Sequence, residues 1–170
     1  MWGMAGLENG ERSRHAGTAA AARRAPSSAE EAALEALRVL GDPTVDEVVF
    51  LSRPESAGEA RRLAHCVVVW QWGLPPWFAE NVVLLVSELV GNAVRHTGAL
   101  TFGLRMHCRR GWTRVELRDP SRGLPCLMPV REMDVSGRGL FLVDTLSDRW
   151  GVDLWPLGKT TWFEMRIPER

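Results

Sequence analysis

A chain of 170 residues is long enough for one domain with a core of its own, and 45% hydrophobic with 25% charged residues is the balance of an ordinary globular protein. The 21 basic and 21 acidic residues cancel, and no block of like charge offers an electrostatic footprint for nucleic acid. Three cysteines (Cys66, Cys108 and Cys126), odd in number and without CxxC spacing, fit small buried thiols of a reducing cytoplasm better than a disulfide frame or a zinc site.

Residues 1–44 differ in composition from the rest, being rich in Gly, Ala, Arg, Ser and Glu, and are expected to form a disordered or partly helical extension. Arg23-Arg24 is followed by Pro, Ser and Glu rather than an apolar run, so no secretion signal is read there. From Ser28 the run AEEAALEALRVL combines strong helix formers with a partial apolar stripe of Ala32, Leu34, Leu37 and Leu40, and Gly41-Asp42-Pro43 stops it. The compact domain is placed at residues 45–170. Glu47–Ser52 reads as a strand, and Ser56–Trp72 as a helix with Ala60, Leu63, Ala64, Val67 and Val68 inward. Gly73-Leu74-Pro75-Pro76 breaks the chain, and a second helix runs from Trp77 to Thr97.

Strands are then expected at Leu100–Cys108 and Trp112–Asp119. A Pro/Gly-rich loop from Pro120 to Ser136 follows, then a helix at Gly139–Leu146, a short strand at Arg149–Leu154 and a last strand at Thr160–Ile167. No apolar stretch is expected to span a membrane. The domain order β-α-α-β-β-α-β-β points to an α+β fold, a two-layer α/β sandwich whose mixed, mostly antiparallel sheet is covered on one face by helices. Without parallel βαβ repeats, a Rossmann or P-loop fold is not expected.

Four segments carry chemistry. Glu88, Asn92 and His96 recur every four residues and so share one helix face. A carboxylate there can take a proton and an amide oxygen can ligate Mg²⁺; the plain alternative is the wet face of an amphipathic helix. Asp119 ends the alternating strand WTRVELRD, where it either accepts from an amino group or opens an Asx-turn before Pro120. Gly137-Arg138-Gly139-Leu140 opens an apolar helical pattern (Leu140, Val143, Leu146), so backbone and helix amino end can approach a phosphate. No Lys-Ser/Thr follows, which rules out a Walker loop. Gly158-Lys159-Thr160-Thr161 leads into the last strand, as a hairpin turn or as a hydroxyl donor at Thr160.

In this order the segments resemble the GHKL superfamily, the ATP-binding fold shared by gyrase and histidine kinases. The phrases SELVGNAVRHT, GRGLFLVDTLSDRWGV and GKTTWFEM are closest to the bacterial members related to anti-sigma-factor serine kinases. The resemblance runs from Glu47 to Ile167. It implies a Bergerat-type ATP-binding fold, ATP and Mg²⁺ as cofactors, Glu88 as the catalytic carboxylate and Asn92 as the Mg²⁺ ligand. It also implies Asp119 as the adenine-reading aspartate, with Gly123, Gly137, Arg138, Gly139 and Leu140 around the nucleotide, and Thr160 closing the base pocket. Gly91 would keep bulk away from the ligand, and His96 would be a helix-end residue. Ser121 departs from the usual Asp-x-Gly-x-Gly, and Val135 stands where such kinases carry an arginine, a charge that Arg131 or Arg138 would have to supply. The implied function is that of a cytoplasmic serine/threonine kinase that sequesters a sigma factor and phosphorylates a small antagonist protein. No nucleic acid or membrane is implied as partner, and a homodimer is allowed. The alternative is a nucleotide-binding interaction module without turnover. A histidine kinase is not expected, since no dimerising helix pair with a phosphoacceptor histidine precedes the domain.

Overall fold

The computed structural model of the chain describes residues 27–96, 98–120 and 138–169. Gly123 and Gly137, with Ser121, Arg131 and Val135, lie outside the described residues, as do the side chains of His96 and Arg138. Helix α1 (Ser28–Leu40) begins at a Ser27 cap whose hydroxyl accepts from the Glu30 amide at 3.2 Å, with Glu30 and Glu31 favourably placed in the first turn. It ends at Gly41, whose φ of 104° suits a residue without Cβ and whose N–H caps the Leu37 carbonyl. The packed face is Ala33, Leu37 and Leu40, so the expected stripe holds at Leu37 and Leu40, whereas Ala32 and Leu34 are exposed and Ala33 takes their place. This face packs on the next helix, so the helical part of the expected extension docks on the domain. Asp42 fastens the exit: its carboxylate accepts from Thr44 at 2.6 and 2.8 Å and from the Gln71 amide at 2.7 Å.

Strand β1 (Val48–Leu51) leads to α2 (Pro54–Cys66), which starts with proline at a position where the missing N–H costs nothing. A π-helical turn follows over Val67–Gln71, closed by Trp72 N–H to Val67 C=O at 2.9 Å. Ala60, Leu63, Ala64, Val67 and Val68 are all fully buried, as the sequence pattern predicted. Helix α3 (Pro76–His96) is next, then β2 (Thr101–Arg109), β3 (Trp112–Asp119), α4 (Arg138–Leu146), β4 (Arg149–Trp155) and β5 (Gly158–Arg166). The stretch Pro76–Arg95 is in fact long and apolar enough to cross a membrane, against the expectation. Here its apolar residues Phe78, Val82, Leu85, Val86, Leu89 and Val90 form the core, each large one contributing about 1.5–3 kcal/mol by burial.

The five strands lie in the order β1-β2-β3-β5-β4, with every pairing antiparallel. Alternation sends Phe50, Phe102, Leu104, Met106, Val115, Leu117, Phe163 and Met165 into the core beneath the helices. The opposite face carries charge: Arg114 bonds Glu116 at 2.6 Å and Glu164 at 3.1 Å, and stacks 4.0 Å from the Trp162 ring centroid. The fold is therefore the expected α+β two-layer sandwich, helices on one face of an antiparallel sheet.

Candidate functional site

Two clusters of polar residues sit where apolar packing would be expected. The first lies between α3 and α4, which pack directly on each other. Glu88 and Asn92, one turn apart on α3 and both half-buried, meet the first turn of α4 at Gly139. A Cβ at position 139 would stand 2.6 Å from Glu88 Oε2 and 3.4 and 3.5 Å from the Asn92 Nδ2 and Oδ1. Glycine is thus what lets the Glu88 carboxylate come this close to α4, while Asn92 would meet a Cβ only at ordinary contact distance. The amino end of α4 favours negative charge through its partial positive dipole, for the Glu88 carboxylate and equally for a phosphate. Leu140 turns away into a buried position, and Val143 joins the core.

The second cluster is on the sheet. Asp119, 2% exposed at the end of β3, faces the helix side together with Leu117. Its register partner on β5 is Lys159, itself 7% exposed, with Nζ 3.6 Å from Asp119 Oδ2. The strands approach closely here: a Cβ on Gly158 would fall against the Asp119 carbonyl oxygen and 2.7 Å from the Pro120 Cα. Glycine at 158 is required by that contact.

Thr160 does not join this cluster. It is paired with Arg118, so it points to the opposite face of the sheet, where its hydroxyl accepts from Trp155 Nε1 at 2.9 Å. There it lines a groove of about 590 Å³ with Glu116, Arg118 and Trp155, away from Asp119. The threonine on the Asp119 face is Thr161, opposite Leu117 and 5% exposed. Strand alternation carried this signal, since Thr161, Phe163 and Met165 share one face and the last two are plainly apolar. Gly91 also reads differently in space. Its missing Cβ would meet only the Arg95 guanidinium, at 2.9 Å for Nη2, so no part of the polar cluster depends on it. Lys159 and Thr161 are the site residues that the sequence reading passed over.

The donor set fits a nucleotide with a hard cation. Among the described residues no three His, Cys, Asp or Glu side chains gather, so the protein offers no closed metal cage. A cation at Asn92 would complete its shell with water and phosphate oxygens, as Mg²⁺ prefers.

Comparison with known proteins bears on the same segments. Residues 50–165 match the model of the histidine kinase-like ATPase domain. No curated relative matches. Among solved structures, the blue-light activated histidine kinase of Erythrobacter litoralis EL346 is 24% identical with a TM-score of 0.42, over 55% of this chain and 32% of that one. Its histidine kinase domain is 21% identical with a TM-score of 0.45, over 82% of this chain and 74% of that one. The chain thus spans about a third of the length of that full kinase. With its helix-covered antiparallel sheet and a family match over more than half its length, the chain belongs to the histidine kinase-like ATPase domain family, whose hallmark is the binding of ATP.

Proposed function

We propose that the protein binds Mg·ATP between α3, α4 and the Asp119 end of the sheet, and acts as an anti-sigma-factor-like serine/threonine kinase. In this reading it phosphorylates a small antagonist protein and regulates transcription by holding a sigma factor. The observation that carries the nucleotide part is the seating of Glu88 and Asn92 on Gly139 at the amino end of α4. When bound, Mg²⁺ would supply positive charge against the phosphates. Asn92 would supply one oxygen to it, and Gly139 would let the chain come close. Glu88 would orient an acceptor hydroxyl and take its proton, the positioning role that phosphoryl transfer asks of a carboxylate. Asp119 would accept from the amino group of adenine, with Thr161, in place of Thr160, closing the same face. Support for the serine/threonine and anti-sigma parts comes from the phrases SELVGNAVRHT and GKTTWFEM alone.

The test is incubation with γ-labelled ATP and candidate antagonist proteins, beside Glu88→Ala. Label appearing on an antagonist serine or threonine only with intact Glu88 is the expected result. A second reading, a nucleotide-binding interaction module, is favoured by Val135 and Ser121, which depart from the kinase pattern. Tight Mg·ATP binding with no Glu88-dependent transfer would select it.

A further inference from the structure

Lys159 has no part in the chemistry described so far, yet its placement is costly. It is the sole lysine in a chain whose remaining cations are all arginines. Among the described residues it is the one buried cation, and it lies against the equally buried Asp119, Nζ to Oδ2 at 3.6 Å. Removing two charges from water is expensive, and well-packed apolar residues at such positions usually serve stability as well or better. The position is built with care: antiparallel register sets Lys159 directly opposite Asp119, and Gly158 brings the two strands together just beside it. Stability alone does not account for this pair, which points to recognition.

We propose that Lys159 is the positioning residue that makes Asp119 selective for a 6-amino purine over a 6-oxo purine. This rests on the nucleotide-binding reading above. A carboxylate balanced by an adjacent ammonium is an acceptor only. It pairs with the exocyclic amine of adenine and repels the keto oxygen that hypoxanthine or guanine presents at the same position. A buried carboxyl group without its counter-charge has two escapes, to bind a proton or to turn toward water. Either one relaxes the choice, because a carboxylic acid can donate to a keto oxygen. The compact ammonium suits this role better than a guanidinium, whose broad planar fork would occupy the carboxylate on both oxygens.

The experiment compares ATP with ITP, which differ at the 6-position, by competition titration against a fluorescent ATP analogue. Wild type, Lys159→Met, Lys159→Arg and the double variant Asp119→Asn/Lys159→Met are measured, each checked for folding by circular dichroism. Wild type should prefer ATP by roughly tenfold or more, because a keto oxygen set against the carboxylate leaves buried acceptors unsatisfied. Lys159→Met should bring the two affinities within about threefold, mainly by weakening ATP. Lys159→Arg should keep part of the preference. The double variant should show no preference, and if Lys159→Met fails to fold, Lys159→Gln takes its place and should likewise bring the two affinities within about threefold. Equal weakening of both nucleotides with the ratio preserved, or a preference for ATP that rises, overturns the proposal. Wild type that binds neither nucleotide instead removes the nucleotide-binding reading itself, so the two failures are distinct.

Discussion

Gly139→Ala isolates the contact on which the site depends. The added methyl would lie 2.6 Å from Glu88 Oε2, where ordinary contacts begin at 3.4 Å, so the carboxylate must retreat by about 0.8 Å. Asn92, at 3.4 and 3.5 Å, can stay in place. Glu88 is a flexible side chain, and driving it off its rotamer costs about 0.5–1.5 kcal/mol. Alanine returns about 0.5–1 kcal/mol through helix propensity. Net stability should therefore change by less than about 1 kcal/mol, read from urea unfolding midpoints. Function should respond far more strongly, because misplacing a catalytic group by ~1 Å can cost about 10²-fold in rate. Gly91→Ala is the matched control on α3. There the methyl meets only the Arg95 guanidinium, exposed and free to swing aside, so stability should rise by about 0.5–1 kcal/mol with no loss of activity. Glu88-dependent phosphate transfer that survives Gly139→Ala intact would refute the reasoning, as would equal losses in the two variants.

Arg114→Met should destabilise by about 1–3 kcal/mol and lower the salt sensitivity of unfolding, since it removes charge-assisted bonds to Glu116 and Glu164 and the stack on Trp162. An unchanged urea midpoint would contradict the role of that network. Burial, with Arg105, Arg109 and Arg114 nearby, holds the His107 imidazole below its ordinary pKa of 6.5, against the pull of Glu116. Below that value the unfolded chain takes up the proton before the folded one does, so stability is complete above it and lost as pH falls through the lower folded pKa. His107→Gln should flatten the fall in stability as pH drops below about 6.5, and a slope equal to wild type counts against it. With Cys126 replaced by serine, a maleimide should label exposed Cys108 well before buried Cys66, although burial raises the pKa of both thiols. Equal labelling times would mean that α2 opens readily.

Period and punctuation made most of the architecture legible. The alternation in WTRVELRD and TTWFEM marks strands, and the spacing of Ala60, Leu63, Ala64, Val67 and Val68 marks the buried face of a helix. The docking of α1 was harder to read, because Ala33 and Leu34 are adjacent and either can lead an apolar stripe. Only packing against α2 selects Ala33. Glu88 and Asn92 are visible as an i, i+4 pair, but their partner Gly139 comes from another helix. The error at Thr160 was one of phase: a shift of one residue on a strand changes the face, and Phe163 and Met165 were the markers to count from. The Asp119–Lys159 pair lay beyond reach of local pattern, since it exists only through the register of two strands far apart in sequence.

On the proposed reading, the α3–α4 cluster of Glu88, Asn92 and Gly139 and the buried Asp119 at the end of β3 hold Mg·ATP together. The most direct test of this reading is calorimetric titration of Mg·ATP into the wild-type chain and into Asp119→Asn. One site per chain is expected in wild type, with affinity reduced by about tenfold or more in the variant, because a carboxamide free to flip no longer enforces acceptance from the adenine amine. Absence of binding to wild type, or equal affinity in the two proteins, would contradict it.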